Sequence, residues 1–78
     1  MDAKPLNIKV RPVGVVKMFI KDLDVELPGG TTVEQLIKSL ALPDGLNIFA
    51  SINGRKEPLK RILNDGDEVK LISILSGG

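Results

Sequence analysis

The sequence of 78 residues is long enough for one small domain, and its 11 basic and 10 acidic side chains give a formal net charge of +1. Because it contains neither cysteine nor histidine, it excludes disulfides, thiolate or imidazole catalysis and the usual zinc sites, so we expect neither catalytic residues nor a metal. The balanced charge, the scarcity of aromatic residues and the lack of a long apolar run argue against nucleic-acid binding, a signal peptide and a membrane span, so we expect a cytoplasmic protein.

The first strand signal lies near the N-terminus. Leu6, Ile8 and Val10 alternate with polar residues, which is the period-two pattern of a half-buried strand. Pro12 interrupts this pattern. Because proline has no amide hydrogen to donate, we expect a bend, a bulge or a sheet edge there.

Apolar residues resume after this interruption and predict a β-hairpin. We place its arms near residues 15–21 and 23–28. Residues 1–14 are then either an N-terminal extension or an early part of the first strand. The folded domain spans residues 15–75, and residues 76–78 form a flexible C-terminal tail.

An amphipathic helix follows the hairpin. Thr31-Thr32-Val33-Glu34 has the pattern of a capping box, in which the Thr31 side chain accepts from the amide of Glu34. Four apolar residues then recur at i, i+3, i+4 and i+7, as on one stripe of a helix. They are Val33, Leu36, Ile37 and Leu40. We expect the helix to end before Pro43-Asp44-Gly45.

A further strand is predicted over residues 46–52. Its alternation puts Phe49 on the face opposite to the aliphatic residues of the same strand. The dipeptide Asn53-Gly54 directly after it is a strong signal for a tight turn, because both residues tolerate positive φ.

The chain between this turn and the last strand is predicted to be irregular. Pro58 blocks a long strand over residues 55–63. Three apolar residues there are available for the core: Leu59, Ile62 and Leu63. Residues 64–67 predict a second turn, and alternation from Val69 onward predicts a final strand that leads into the tail.

The predicted elements define a fold class. A helix with one apolar stripe is buried most simply against one face of a sheet. We therefore predict an α+β fold, in which a mixed sheet of four to five strands carries one main helix across one face.

The sequence ends in Ser76-Gly77-Gly78. Glycine loses much backbone entropy on ordering and has no side chain to pack, so paired glycines add nothing to a folded domain. A carboxylate on such a tail is suited to entering a narrow active site of another protein, where it is chemically activated. The alternative is a cloning scar or a chance ending.

Three segments together resemble a known family. They are Gly30-Thr31-Thr32-Val33-Glu34-Gln35-Leu36 at the helix start, Ile52-Asn53-Gly54 after the strand, and Asp65-Gly66-Asp67-Glu68-Val69 before the glycines. In their order and spacing, over residues 15–78, they resemble the small sulfur carrier proteins of the ThiS and MoaD type. These proteins are relatives of ubiquitin, so the resemblance implies the β-grasp fold.

The resemblance also implies a function. In this family a ubiquitin-activating-like adenylyltransferase uses ATP to join AMP to the terminal glycine carboxylate, here that of Gly78. Sulfur from a persulfide enzyme displaces the AMP and leaves a thiocarboxylate, which an acceptor synthase consumes. The chain is then a carrier and not an enzyme, holds no cofactor, threads its tail through Ser76 and Gly77, and is a monomer when free.

Two departures from the family leave the receiving pathway open among thiamine synthesis, molybdopterin synthesis and tRNA thiolation. MoaD-like members carry an aromatic-rich segment with an Arg-Glu pair after the first strand, where this chain has Arg11-Pro12-Val13-Gly14. ThiS-like members begin at the first hairpin arm, so the leading residues of this chain are extra.

A partner-docking surface is predicted beside the tail. Alternation puts Ile72 and Ile74 on the sheet face opposite to the helix, together with Phe49, and Leu75 follows next to the tail. Exposed apolar residues at this place predict docking of a partner. The alternative is a face covered by residues 1–16 or by a second chain.

Four basic residues cluster before the last strand: Arg55, Lys56, Lys60 and Arg61. They form either a docking patch for an acidic partner or, as charge runs more often do, a solvated loop.

Three functional classes remain open. The chain is a sulfur carrier, a ubiquitin-like modifier that is conjugated to lysines through Gly78, or a non-covalent β-grasp binding module. Deletion of Gly77 and Gly78 would abolish function in the first two classes and leave the third intact.

Overall fold

The computed structural model describes residues 4–43 and 45–74, which form a mixed sheet with a helix packed on one face. The strands are β1 (Leu6–Val13), β2 (Leu23–Leu27), β3 (Asn47–Ile52), β4 (Arg55–Glu57) and β5 (Glu68–Ile74). A 3₁₀ turn (Gly14–Met18) follows β1, and the helix α1 spans Val33–Ser39. The predicted α+β class with one helix across one face of the sheet is confirmed.

The first and last strands lie side by side in the middle of the sheet. The strand order is β2-β1-β5-β3-β4, in which β1 and β5 are parallel and the other neighbours are antiparallel. Parallel strands end at the same end of a sheet. The 3₁₀ turn after Val13 and the C-terminal end of β5 therefore lie at the same end of the sheet, because Val13 lies opposite Ile72.

The predicted first hairpin arm over residues 15–21 is wrong. Strand β1 pairs with β2, and Val10 lies opposite Leu23. Gly14 has a φ of 61° and turns the chain out of the strand. Val16 and Ile20 then both pack against the core. Residues four positions apart lie on the same face in a helix and in a strand, so this spacing does not distinguish the two structures.

Pro12 lies within β1 at a position where it needs no amide hydrogen toward β2. The antiparallel pairing with β2 ends at Val10, so among the described strands the segment around Pro12 has a neighbour only on the β5 side, where it lies opposite Leu71. This agrees with the sheet edge that the proline predicts.

The helix begins one residue later than predicted. Thr32 is the N-cap, and its hydroxyl accepts from the amide of Gln35 at 3.2 Å while the Gln35 side chain accepts from the Thr32 amide at 2.9 Å. Thr31 is not the cap because its hydroxyl donates to the Pro28 carbonyl at 2.7 Å and its own carbonyl accepts from Leu63. The capping box is therefore real but shifted by one residue.

The core lies between the helix and the sheet. Its ten most buried residues are aliphatic: Ile8, Val10, Val16, Val33, Leu36, Ala50, Ile52, Leu63, Val69 and Leu71. Burial of each larger side chain is worth roughly 1.5–3 kcal/mol before the loss of conformational entropy.

Two of the three predicted core residues after Pro58 are wrong. Leu63 is buried, but Leu59 and Ile62 are exposed by 42% and 57%. The backbone of this segment instead binds the N-terminus of the helix, because the carbonyls of Leu59 and Arg61 accept hydrogen bonds from the first amides of α1. These bonds satisfy donors that have no partner within the helix.

The predicted turn at Asn53-Gly54 is confirmed, with φ values of 51° and 90°. The following residues, which we predicted to be irregular, begin with the short strand β4, whose Arg55 lies opposite Ile52. Pro58 comes directly after β4, so the proline limits this strand to three residues and does not prevent it.

Candidate functional site

The predicted reactive end of the chain lies outside the described residues. This holds for Gly78, for the tail residues Ser76 and Gly77, and for Leu75. Ile74 is described as the last residue of β5, opposite Asn47. The site that can be built from the structure is therefore the sheet surface beside the end of β5.

An apolar row crosses the sheet face that the helix does not cover. Ile72 lies opposite Phe49 on one neighbouring strand and opposite Val13 on the other. All three are half-buried. Leu71 next to Ile72 and Ala50 next to Phe49 point to the other face and belong to the core. We call Val13, Phe49 and Ile72 the open-face row. Ile72 and Phe49 thus lie on one sheet face, where alternation put them; their role in docking a partner stays a prediction.

Positive charge borders the open-face row. Lys70 lies opposite Arg11 on one side and Ser51 on the other, and Ser51 lies opposite Lys56. The Lys56 ammonium is 4.9 Å from the centre of the Phe49 ring, within the range of a cation–π contact. A partner surface that fits this face therefore combines an apolar centre with carboxylates on the side of the lysines.

Arg11 is a charge whose partners lie within the chain. Its guanidinium donates to Asp22 at 2.8 Å and to Glu68 at 3.2 Å. These hydrogen bonds, first that to Asp22, raise the pKa of Arg11 above its ordinary value. The two ion pairs of Arg11 are exposed and contribute little to stability. Unlike Arg11, the lysines of this face take part in none of the ion pairs between described residues.

The predicted basic cluster divides into separate roles. Arg61 forms ion pairs with Glu57 at 3.5 Å and with Asp67 at 3.0 Å, so it joins β4 to the start of β5. Arg55, Lys56 and Lys60 are all exposed, and Lys56 lies opposite Ser51 beside the open-face row. The cluster thus consists of one residue paired within the fold and three exposed ones.

Two segments that carry the family resemblance meet at a buried carboxylate. Asp67 is only 5% exposed. It accepts hydrogen bonds from the Asn53 side chain at 3.1 Å, Arg61 at 3.0 Å and the Asn64 amide at 2.8 Å. Burial acts to raise the pKa of Asp67, but these hydrogen bonds outweigh it and hold the pKa below the ordinary value.

This network fixes the start of β5. The Asn53 side chain also accepts from the amide of Glu68, the first residue of β5, at 3.2 Å. The turn after β3 is thereby tied to the strand that leads to the tail. Sequence reasoning assigned Asn53 and Asp67 to turns and missed their contact, because 14 residues separate them in sequence.

Val13 is the member of the open-face row that sequence reasoning missed. The signal was the alternation over residues 6–11, which continues to Val13 if Pro12 is accepted as a strand residue. Our placement of the first arm after Gly14 excluded it. Within residues 4–43 and 45–74, no group of three carboxylates is arranged to hold a metal ion, and no helix has the length and apolar character needed to cross a membrane.

The comparison with protein families decides the identity of the chain. The ThiS family matches residues 14–78, which is most of the sequence. The chain belongs to the ThiS family. It is therefore a small β-grasp protein of the sulfur carrier and ubiquitin-like modifier type. The match begins at the 3₁₀ turn, so β1 of this ThiS-family protein precedes the matched region. No curated protein matches the sequence at a significant level.

Solved structures confirm the predicted β-grasp fold. A Haloferax volcanii protein is 21% identical over 100% of this chain and 92% of its own, with a TM-score of 0.76. A putative molybdopterin converting factor subunit from Pyrococcus furiosus is 23% identical, with 90% and 99% of the chains covered and a TM-score of 0.72. A ubiquitin from Caldiarchaeum subterraneum is 24% identical, with 95% and 99% covered and a TM-score of 0.68.

Proposed function

We propose that this ThiS-family protein is a sulfur carrier whose Gly78 carboxylate is adenylated and then converted to a thiocarboxylate. The partner enzyme transfers AMP from ATP to the carboxylate and releases pyrophosphate. The outer sulfur of a persulfide then attacks the acyl carbon and AMP leaves, which gives an acyl disulfide. A second thiol of the partner cleaves its S–S bond, so that the partner's two sulfurs end as a disulfide and the thiocarboxylate stays on Gly78. The thiocarboxylate passes its sulfur to an acceptor synthase, in thiamine or molybdopterin synthesis or in tRNA thiolation.

The chemistry of the tail fits this role. A carboxylate is a poor electrophile, and adenylation gives it a good leaving group. Gly78 offers no side chain that would hinder attack at its carbonyl, and Gly77 lets the tail pass through a narrow channel. The carrier needs to supply no acid, base, metal or cofactor, because the activating enzyme binds ATP and performs the reaction.

The observation that carries the proposal is the extent of the family match. It runs from residue 14 through Gly78, so it includes both the folded domain and the glycines. The open-face row supports the proposal, since Ile72 places an apolar surface two residues before the end of β5. A partner that holds the tail also meets this surface.

Deletion of Gly77 and Gly78 tests the proposal. The full chain is incubated with the ubiquitin-activating-like adenylyltransferase of its host, and adenylation is followed as ATP–pyrophosphate exchange. We expect the deletion to abolish exchange while the circular dichroism spectrum and the thermal transition stay unchanged. Undiminished exchange by the truncated chain would contradict the proposal.

A matched pair of glycine substitutions refines this test. Gly77→Ala adds one methyl group in the tail, and we expect it to slow exchange. Gly29→Ala adds the same group in an exposed turn and should leave exchange unchanged. Equal effects of the two substitutions would show that the assay reports the fold and not the tail.

A protein modifier is the second candidate, and the shared fold of the Caldiarchaeum ubiquitin favours it. In this case the activated Gly78 forms isopeptide bonds with lysines of other proteins. Denaturing gels of a host lysate separate the two candidates, because a modifier gives covalent ladders that resist reduction and a sulfur carrier does not. A non-covalent binding module would keep its function without the glycines.

A further inference from the structure

Two neighbouring apolar side chains protrude from the loop between β1 and β2. Met18 is 80% exposed and Phe19 is 48% exposed. Single exposed apolar residues are common on protein surfaces, but here two are adjacent in sequence, and both are of types that are enriched at protein interfaces. We call this pair the Met18–Phe19 tip.

The fold holds the tip in place. Val16 before it is fully buried, and Ile20 after it packs against the core. The amides of Phe19 and Ile20 both donate to the Val16 carbonyl, at 3.0 and 3.2 Å. The loop is thus anchored on both sides, and a side chain presented by an ordered loop loses less entropy on binding.

Positive charge flanks the tip. Lys17 precedes it and Lys21 follows it, and both side chains are exposed. In the part of the chain that the structure describes, no carboxylate lies within 4.0 Å of either ammonium group. The nearby Asp22 is held by Arg11 at 2.8 Å. A complementary surface is therefore an apolar cleft with carboxylates at its rim.

The tip also lies at the functional end of the molecule. The 3₁₀ turn that contains Met18 follows β1 and contacts β5. Because β1 and β5 are parallel, the turn lies at the same end of the sheet as Ile74, the last residue of β5. A protein that takes up the residues after Ile74 therefore approaches the tip as well.

We propose that the Met18–Phe19 tip docks into an apolar, carboxylate-rimmed cleft of the adenylating partner, a proposal that rests on the function proposed above. The tip sets how tightly the partner binds the carrier, and the tail undergoes the reaction. A lipid surface fits less well, because even one long acyl chain gives only marginal and reversible membrane binding, and two side chains bury far less apolar area.

The test separates binding from reaction. ATP–pyrophosphate exchange by the host adenylyltransferase gives KM and kcat for the full chain, and calorimetry gives Kd. We expect Met18→Ser/Phe19→Ser to raise KM and Kd about tenfold or more, in the range of interface hot spots, with kcat unchanged. Ile62→Ser removes an apolar side chain of similar exposure, 57%, and should change neither constant.

The charge part of the proposal has its own readout. Lys17→Glu/Lys21→Glu should also raise KM, because the lysines no longer attract the carboxylates of the partner. The KM of this variant should then increase less with salt concentration than the KM of the wild type, because less charge attraction is left to be screened. Circular dichroism checks that each variant is folded.

Each result decides between the two proposals. If the wild type reacts but the tip variant keeps KM and Kd within twofold of the wild type, the docking proposal is wrong and the proposed function stands. If the wild type neither binds nor reacts with the active enzyme, the proposed function fails and the docking proposal fails with it. Binding of the wild type, but not of the tip variant, to vesicles of phosphatidylcholine and phosphatidylserine would assign the tip to a membrane and overturn docking to a protein.

Discussion

Replacement of Asp67 by asparagine should destabilise the protein although the side chain keeps its shape. The carboxylate of Asp67 accepts three hydrogen bonds, one on Oδ1 from Asn53 and two on Oδ2 from Arg61 and the Asn64 amide. An asparagine side chain has one carbonyl oxygen, which accepts hydrogen bonds, and one NH2 group, which only donates them. If its oxygen accepts from Arg61 and Asn64, its NH2 group faces the NH2 group of Asn53, and two donors then meet.

Rotation of the Asn53 side chain does not remove the conflict. Its oxygen accepts from the Glu68 amide at 3.2 Å, so a rotated Asn53 would present a donor to that amide. One buried or half-buried donor stays unpaired in either arrangement, which costs about 1–3 kcal/mol. The ion pair with Arg61 is partly exposed and adds less. We expect a loss of about 2 kcal/mol in the free energy of unfolding near neutral pH, or about 8–16 °C in Tm for a domain of this size.

The pH dependence of this loss is specific to the ionised carboxylate. Because hydrogen bonds lower the pKa of Asp67 in the folded state, its contribution is fully present above the unfolded-state pKa of about 3.9 and is lost as the pH falls through the folded-state value. Urea unfolding of the wild type and Asp67→Asn should therefore differ most at neutral pH and converge in acid.

Asp65→Asn is the matched control. Asp65 is exposed and accepts one hydrogen bond, from the Asn7 amide at 2.8 Å, which an asparagine oxygen also accepts. We expect a change below about 0.5 kcal/mol. A loss for Asp67→Asn that is no larger than that of the control, or that stays constant between neutral and acid pH, would refute the network as described.

Three further substitutions test separate parts of the structure. Leu36→Ala removes a fully buried side chain from the centre of the core and should cost about 2–5 kcal/mol in urea unfolding; a loss below about 1 kcal/mol would show that the helix does not pack as described. Gly54→Ala meets no atom within 4 Å but must adopt a φ of 90°, so thermal unfolding should report about 1 kcal/mol of backbone strain, and an unchanged Tm would contradict this turn geometry. Ile72→Lys in the open-face row should raise the KM for adenylation about tenfold with little change in Tm, whereas an unchanged KM would remove this face from the docking surface.

The sequence predicted the elements whose signals are local. The stripe from Val33 to Leu40 and the dipeptide Asn53-Gly54 each carry their information within a few residues, and both predictions hold apart from the shift of the cap to Thr32. That shift depends in part on the contact of Thr31 with Leu63, which no local pattern contains.

The parts that the sequence did not predict depend on contacts between distant segments. The choice between residues 6–13 and 15–21 as the first strand depends on pairing with β5, about 60 residues later. The open-face row consequently lacked Val13. For the same reason the joining of Asn53 to Asp67 could not be predicted.

The most direct test of the central claim is the intact mass of the chain after incubation with its activating enzyme, ATP, a persulfide donor and a reducing thiol, followed by excess iodoacetamide. The chain contains no cysteine, so a thiocarboxylate would be its only thiol-like nucleophile. Alkylation also separates sulfur gain from methionine oxidation, which changes the mass almost identically. We predict a carbamidomethyl adduct that maps to Gly78. An adenylate that never gains sulfur, or an unmodified chain in the presence of active enzyme, would contradict the sulfur-carrier function.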